Sequence, residues 1–265
     1  MIRNDQQFEL RLARSGPDLI AAQRLRYRVF VRELGGNGPL VDHDRERELD
    51  EFDSFCDHLI LIDRFRDARL LDHVVGVYRL LPGSRVGPGA TQVSRFYSEG
   101  EYDLSTLKSS ARPLLELGRS CVHPDYRGGT AMYKLWSGLA DYVAVNRIEI
   151  LFGVASFHGL DLETMVEPLS CLHHFHLAPP ELRPATLDPD GRRISWLAPD
   201  QINRLRAMNA MPSLIKAYLR LGGCVADGIY RDRAFNTTDV CLVMDTALVP
   251  DRQRAIYARQ TEQAE

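Results

Sequence analysis

"ELGRSCVHPDYRGGTAMYKLW", residues 116–136, is the stretch whose reading decides the fold. Its first residues suit a strand, Pro124-Asp125-Tyr126 a turn, and Arg127-Gly128-Gly129 a step into a helix. From there Met132, Leu135, Trp136, Leu139 and Val143 recur at helical spacing, with Thr130 as the natural N-cap. Upstream, "PLLELGRSCV" (113–122) completes the strand, and "IEILFGVAS" (148–156) reads as a second, buried one. Residues 114–156 therefore predict a β-α-β crossover whose two strands are parallel neighbours. A glycine-rich turn feeding a helix N-terminus is an anion site, because free backbone N–H groups and the helix dipole point at the ligand. A tight strand-to-helix turn needs glycine for its own sake as well.

Before this unit, "SGPDLIAAQRLRYRVFVRELGG" opens on Ser-Gly-Pro and stops on Gly-Gly, predicting a helix over 17–34. Arg24, Arg28 and Arg32 form one basic stripe on it, either a solvated face or a surface for an acidic protein or anionic headgroups. An acidic loop, "DHDRERELDEFDSFCD", leads to "HLILID" (58–63) and "HVVGVYRLL" (73–81), an antiparallel hairpin by pattern. His58 and Asp63 spell a His-x4-Asp acyltransferase pattern, but their odd spacing puts them on opposite strand faces, which excludes it. Residues 82–112 are loop-rich, with a short helix near "DLSTLKSS". Beyond the crossover come a helix at 160–175, a proline-rich surface loop at 178–193 and a helix at 212–221 stopping on Gly222-Gly223. Two strands, "CVADGIYRDRAF" and "TDVCLVMDT", follow, and then a charged tail at 250–265 that should fray. The whole reads as one α/β domain, with a core at about 8–177 and a C-terminal part at about 178–250 that completes the sheet.

A formal net charge of -3 over 265 residues excludes a general polyanion or nucleic-acid binder, leaving local basic patches as the only source of attraction to acidic partners. The N-terminus is too polar for a signal peptide, and no apolar run approaches the roughly 18 residues needed to cross a bilayer, so the chain reads as cytoplasmic. Five widely spaced cysteines without a CxxC pair argue against disulfides or a thiolate metal site. His173 and His176 lie one helical turn apart but lack a third ligand at suitable spacing, so no metal is expected.

Strand, "RGGTAM" and helix together resemble the GNAT N-acyltransferase superfamily, whose loop, Arg/Gln-x-x-Gly-x-Gly/Ala, cradles the pyrophosphate of coenzyme A. The resemblance implies a GNAT-like mixed, mostly antiparallel sheet with a central β-α-β crossover and flanking helices. Here Thr130 and Met132 replace the last glycine and the small residue. Such a loop suits a donor with a single phosphodiester, a phosphopantetheine arm on an acidic acyl carrier protein, better than it suits coenzyme A. A closer resemblance runs through "RLRYRVFVREL", "DEFDSFCDHLIL", "ELGRSCVHPDYRGG", "LFGVASFHGLD" and "PSLIKAYLRLGGCVADGIYRDRAFNTTDVCLV". These stretches look like the bacterial L-ornithine N-alpha-acyltransferases of ornithine lipid synthesis, with a more distant likeness to acyl-homoserine lactone synthases in "RYRVF", "DEFD" and "ELGR".

That resemblance implies amide formation from a 3-hydroxyacyl thioester, with no bound cofactor and peripheral contact of the product's enzyme with the cytoplasmic face of the inner membrane. A carboxylate, or a water it orders, should collect the amine proton. Glu116 is the first candidate, its alternative being a structural salt bridge to Arg119 across a bulged strand. Backbone N–H groups near Ser120 to Val122 are the expected oxyanion donors. Cys121 and His123 are not needed as nucleophile and base, because direct transfer passes through no acyl-enzyme. Arg79 or Arg119 would hold the ornithine carboxylate, and Asp50, Asp53 or Asp239 the side-chain ammonium, unless Lys216 or Arg233 merely pairs with Asp239. Cys121, Val122 and the loop Arg127, Gly128, Gly129, Thr130 would meet the phosphopantetheine arm, and the Arg24/Arg28/Arg32 stripe the carrier protein. The rivals are a coenzyme-A-dependent acetyltransferase and a catalytically silent carrier-binding module.

Overall fold

A computed structural model describes residues 7–249, so the tail expected to fray lies outside the described residues. In chain order the elements are β1 (Phe8–Leu12), α1 (Gly16–Arg26), which runs on as a π-helix over Tyr27–Glu33, β2 (Asp57–Asp63), β3 (Val74–Pro82) and α2 (Ser105–Ser109). Then come β4 (Leu114–Val122), α3 (Ala131–Val145), β5 (Ile150–His158), α4 (Val166–Phe175), α5 (Arg204–Ala210), α6 (Ser213–Arg220), β6 (Cys224–Val225), β7 (Tyr230–Asp232) and β8 (Thr237–Asp245). The described residues pack as two compact units, 7–93 with 117–147, and 94–116 with 148–249. The two units alternate along the chain, changing over at 93, 116 and 147.

In the first unit β1, β2 and β3 pair antiparallel in succession, and the second half of β4 lies beside β3, with the His123 N–H donating to the Val75 carbonyl at 2.9 Å. The unbroken apolar run of β2 follows from burial on both faces. Ile60 and Ile62 pack with Val74, Val77 and Cys121 under Ala21, Ala22 and Leu25 of α1. On the other face α3 comes so close that a Cβ on Gly138 would stand 3.3 Å from Leu59 and one on Gly76 would stand 2.8 Å from Leu135. The Ser15 hydroxyl caps α1 by accepting the Asp18 N–H, with Pro17 in the first turn. The change to π-helix at Tyr27 and the short strand β1 were not foreseen. Thr130 does occupy the N-cap of α3, yet its side chain makes no capping bond.

In the second unit Leu114–Glu116 of β4 pairs in parallel with Ile150–Phe152 of β5, the crossover predicted from sequence. β8 runs antiparallel to β5 along its whole length and carries β6 and β7 on its other edge. α6 ends on Gly222 at φ +86°, a conformation that L side chains rarely adopt. The proline-rich loop is tied down by a two-residue pairing, Tyr102–Asp103 with Ala185–Thr186, and α5 packs on α4. The result is the expected mixed, mostly antiparallel α/β sheet with flanking helices.

Candidate active site

The first unit holds a buried cluster of charge that alternates in sign. Arg26, on α1, is fully buried; its Nε donates to Glu48 Oε2 at 2.5 Å and its Nη1 to Asp53 Oδ1 at 2.8 Å. Arg79, on β3, donates from Nη1 to Asp50 Oδ1 at 2.6 Å and to Asp53 Oδ1 at 3.0 Å. Arg119, on β4, donates from Nε to Glu48 Oε1 at 3.0 Å and from Nη2 to Asp50 Oδ2 at 3.1 Å. Gln23 adds an amide donor to Asp53 Oδ2 at 2.9 Å. Three guanidinium groups thus face three carboxylates and the cluster is neutral, as a buried charge set must nearly be. Burial works against the charge of Glu48, but Arg119 and then Arg26 outweigh it and hold the carboxyl down at about 2. Asp53 is likewise held well below the carboxylate range, its burial overcome by Arg26 and Arg79.

Within the acidic loop Glu48 and Asp53 are buried, while Asp44, Arg45 and Glu51 are exposed. Asp50 and Asp53 bind arginines of the chain, and Arg79 is enclosed by them. Arg26 and Glu48 were missed, because a charged residue in a charged stretch carries no local sign of burial. The available signal was Arg26 itself, placed among Ala22, Leu25 and Val29 in the buried stripe of α1.

Where the resemblance leads one to expect a bulge, β4 leaves extended geometry: Arg119 has φ +51°, the left-handed region, in the middle of a strand, the backbone signature of a bulge. The next residue, Ser120, has its hydroxyl buried without a hydrogen-bond partner among the described residues. Cys121 points into the apolar cluster under α1, where burial pushes its thiol up to about 12, which removes it as a thiolate nucleophile. His123 is lowered by burial and by Arg28, whose guanidinium lies against its Nε2.

Glu116 belongs to the second unit and is buried, with Oε2 accepting the Tyr97 N–H at 2.8 Å and Oε1 the Ser98 N–H at 2.7 Å. The sequence offered Arg119 as its structural partner; the structure instead gives it these two backbone donors, which fix the carboxylate's orientation. Asp239 is also buried there, its carboxylate within 4.8 Å of those of Glu101 and Asp232, while Lys216 Nζ turns to the Asn209 carbonyl. His173 stacks on Trp196 with ring centroids 4.6 Å apart, in keeping with a packing role.

The loop Arg127–Thr130 is exposed at the start of α3. Arg127 forks onto Glu33 at 2.5 and 2.7 Å and Gly128 adopts φ +74°. Arg24, Arg28 and Arg32 line one cleft of about 460 Å³ with Arg69 and His123. Glu46 pairs with Arg24 and Arg32, and Asp72 with Arg28, so the stripe is partly neutralised.

A bulged strand ending in a turn and a helix N-terminus, beside the parallel pairing of β4 and β5, defines a protein of the GNAT class. The GNAT acetyltransferase domain family matches residues 25–137. A solved N-acyl amino acid synthase from uncultured soil microbes shares the fold with a TM-score of 0.51 at 10% identity, over 91% of this chain and 92% of that one. The chain is 54% identical to the L-ornithine N(alpha)-acyltransferase of Rhodobacter capsulatus over 96% of both chains. It is 37% identical to that of Agrobacterium fabrum over 96% of this chain and 86% of the relative. The chain belongs to the L-ornithine N(alpha)-acyltransferase family.

Proposed function

We propose that the chain transfers a 3-hydroxyacyl group from acyl carrier protein to the α-amine of L-ornithine. The observation that carries this reading is the full-length likeness to named L-ornithine N(alpha)-acyltransferases, and the bulge in β4 supplies a place for the chemistry. The amine attacks the thioester carbonyl, the C–S bond breaks, and the pantetheine thiol leaves with a proton. Backbone N–H groups at Ser120–Val122 and the unpartnered Ser120 hydroxyl are assigned to the oxyanion. The α-amine has a reference pKa near 8, so modest help suffices to neutralise it. Glu116, oriented by two amides, is assigned that proton, directly or through water.

Arg119, at the more open edge of its cluster, is retained for the substrate carboxylate and Asp239 for the side-chain ammonium. The exposed 127–130 loop is assigned the single phosphodiester of the donor's phosphopantetheine arm, and the arginine cleft the acidic carrier itself. No resident cofactor takes part in this scheme. Among the described residues no helix is long and apolar enough to cross a membrane, and the enzyme meets its lipid product at the inner membrane surface from the cytoplasmic side.

Purified protein given L-ornithine and either 3-hydroxyacyl-carrier protein or the matching acyl-coenzyme A should release thiol and form N-acyl-ornithine with the carrier thioester. Turnover only with the coenzyme A thioester would overturn the donor assignment. No turnover with either would overturn the reaction, in favour of another amine or of a binding module.

A further inference from the structure

A buried ion cluster of this kind is poor ground for stability, since apolar side chains of the same volume often serve as well, but it fixes geometry. The geometry to be fixed here is unusual. Arg119 is a β-carbon-bearing residue at φ +51° inside a strand, a conformation that persists only where its surroundings over-determine it. Its guanidinium is gripped by two carboxylates from one loop, Glu48 at 3.0 Å and Asp50 at 3.1 Å.

The loop itself is anchored to deliver them. Asp42 and Arg47 exchange both backbone hydrogen bonds at 2.9 Å, closing a turn that places Glu48, whose N–H then donates to the Gln23 carbonyl of α1 at 3.1 Å. Glu48 has 1% of its surface exposed and spends one carboxylate oxygen on each neighbour, Oε2 on Arg26 and Oε1 on Arg119. It is the one side chain among the described ion pairs that joins α1 directly to the bulge of β4.

We propose that Glu48 is a positioning residue: bridging Arg26 and Arg119, it holds β4 in the bulged conformation in which the amides after Arg119 face the reacting carbonyl. The lock is a statement about β4, and its link to turnover rests on the acyl-transfer reading above. Loss of the charge without loss of volume should free the strand.

The test is E48Q in the full chain, read by amide hydrogen exchange and by steady-state kinetics. Exchange of peptides covering 119–122 should rise about tenfold or more, with β2 unchanged, since local openings are resolved separately from global unfolding. Turnover should fall on the order of tenfold to a hundredfold with KM for the acyl donor nearly constant, the mark of a contact expressed only in the transition state. In an R119G background, where glycine adopts the left-handed conformation unaided, E48Q should not raise β4 exchange further. If E48Q does not fold, E48D, which keeps the charge but shortens the reach, is read the same way. Unchanged β4 exchange, or an equal rise in that exchange with and without R119G, would overturn the lock. Faster β4 exchange with turnover intact would uphold the lock and overturn the placement of the oxyanion at the bulge.

Discussion

At the scale of single residues, Glu116 and Cys121 separate what a motif suggests from what its surroundings permit. Glu116 cannot be altered silently, because a glutamine in its place has one oxygen for the Tyr97 and Ser98 amides that now take two. E116Q should therefore cost about 1–3 kcal/mol of stability, the penalty of an unmet buried donor. As the proton acceptor it should also lose about a hundredfold in kcat. Thermal unfolding and kinetics on one sample separate the two effects, and a drop in Tm with kcat intact would reduce Glu116 to an anchor. Cys121 predicts the reverse. With its thiol pushed up to about 12 and its side chain in the core, C121A should retain kcat within about threefold and lower stability by about 1 kcal/mol. Trapping of an acyl-enzyme at this cysteine during turnover would contradict direct transfer.

At the scale of elements, the hairpin of β2 and β3, the crossover and the helix stop at Gly222 were legible because each has a local cause: apolar runs, helical periodicity, or a residue suited to φ > 0. β1 was not, since "FELRL" alternates with charged residues and looks like any polar N-terminus. The π-helical turn was not, since an apolar stripe does not distinguish i→i+4 from i→i+5 bonding over so few residues. Nor was the fixing of the proline-rich loop, which depends on a contact distant in sequence: a Cβ at Gly191 would lie 1.9 Å from the Ile229 carbonyl oxygen. Backbone, unlike a side-chain tip, cannot step aside. G191A should destabilise the second unit by about 2–3 kcal/mol, seen as faster exchange at 186–192 and 227–230, with the first unit's amides unaffected. Retention of wild-type exchange there would mean that the loop repacks at no cost.

At the scale of the whole molecule, the candidate site shows how sequence and structure divide the work. The turn at 127–130 feeding a helix N-terminus was legible from local composition, whereas the roles offered for 116–122 and the bulge expected there came from the resemblance to the GNAT superfamily. The Arg26, Glu48, Asp53, Arg79 and Arg119 cluster was not legible, because burial of a charge is decided by its partners rather than by its neighbours in the chain. That cluster contributes to the protein's response to acid. Glu48 and Asp53 titrate in the folded state below their unfolded values, so the folded chain binds fewer protons than the unfolded one as pH falls. Their contribution is complete above about pH 4.5, the unfolded carboxyl range. It declines as pH falls from there toward 2, where Glu48 protonates in place. Denaturant midpoints should accordingly be flat from pH 7 to about 5 and fall steeply below, by an amount on the order of a few kcal/mol at pH 3. In E48Q the steep limb should be shallower, because one of the groups that produce it is gone. The same acid limb in wild type and E48Q would mean that Glu48 is not held in its charged form by Arg26 and Arg119, and with that the electrostatic basis of the lock on β4 would fail.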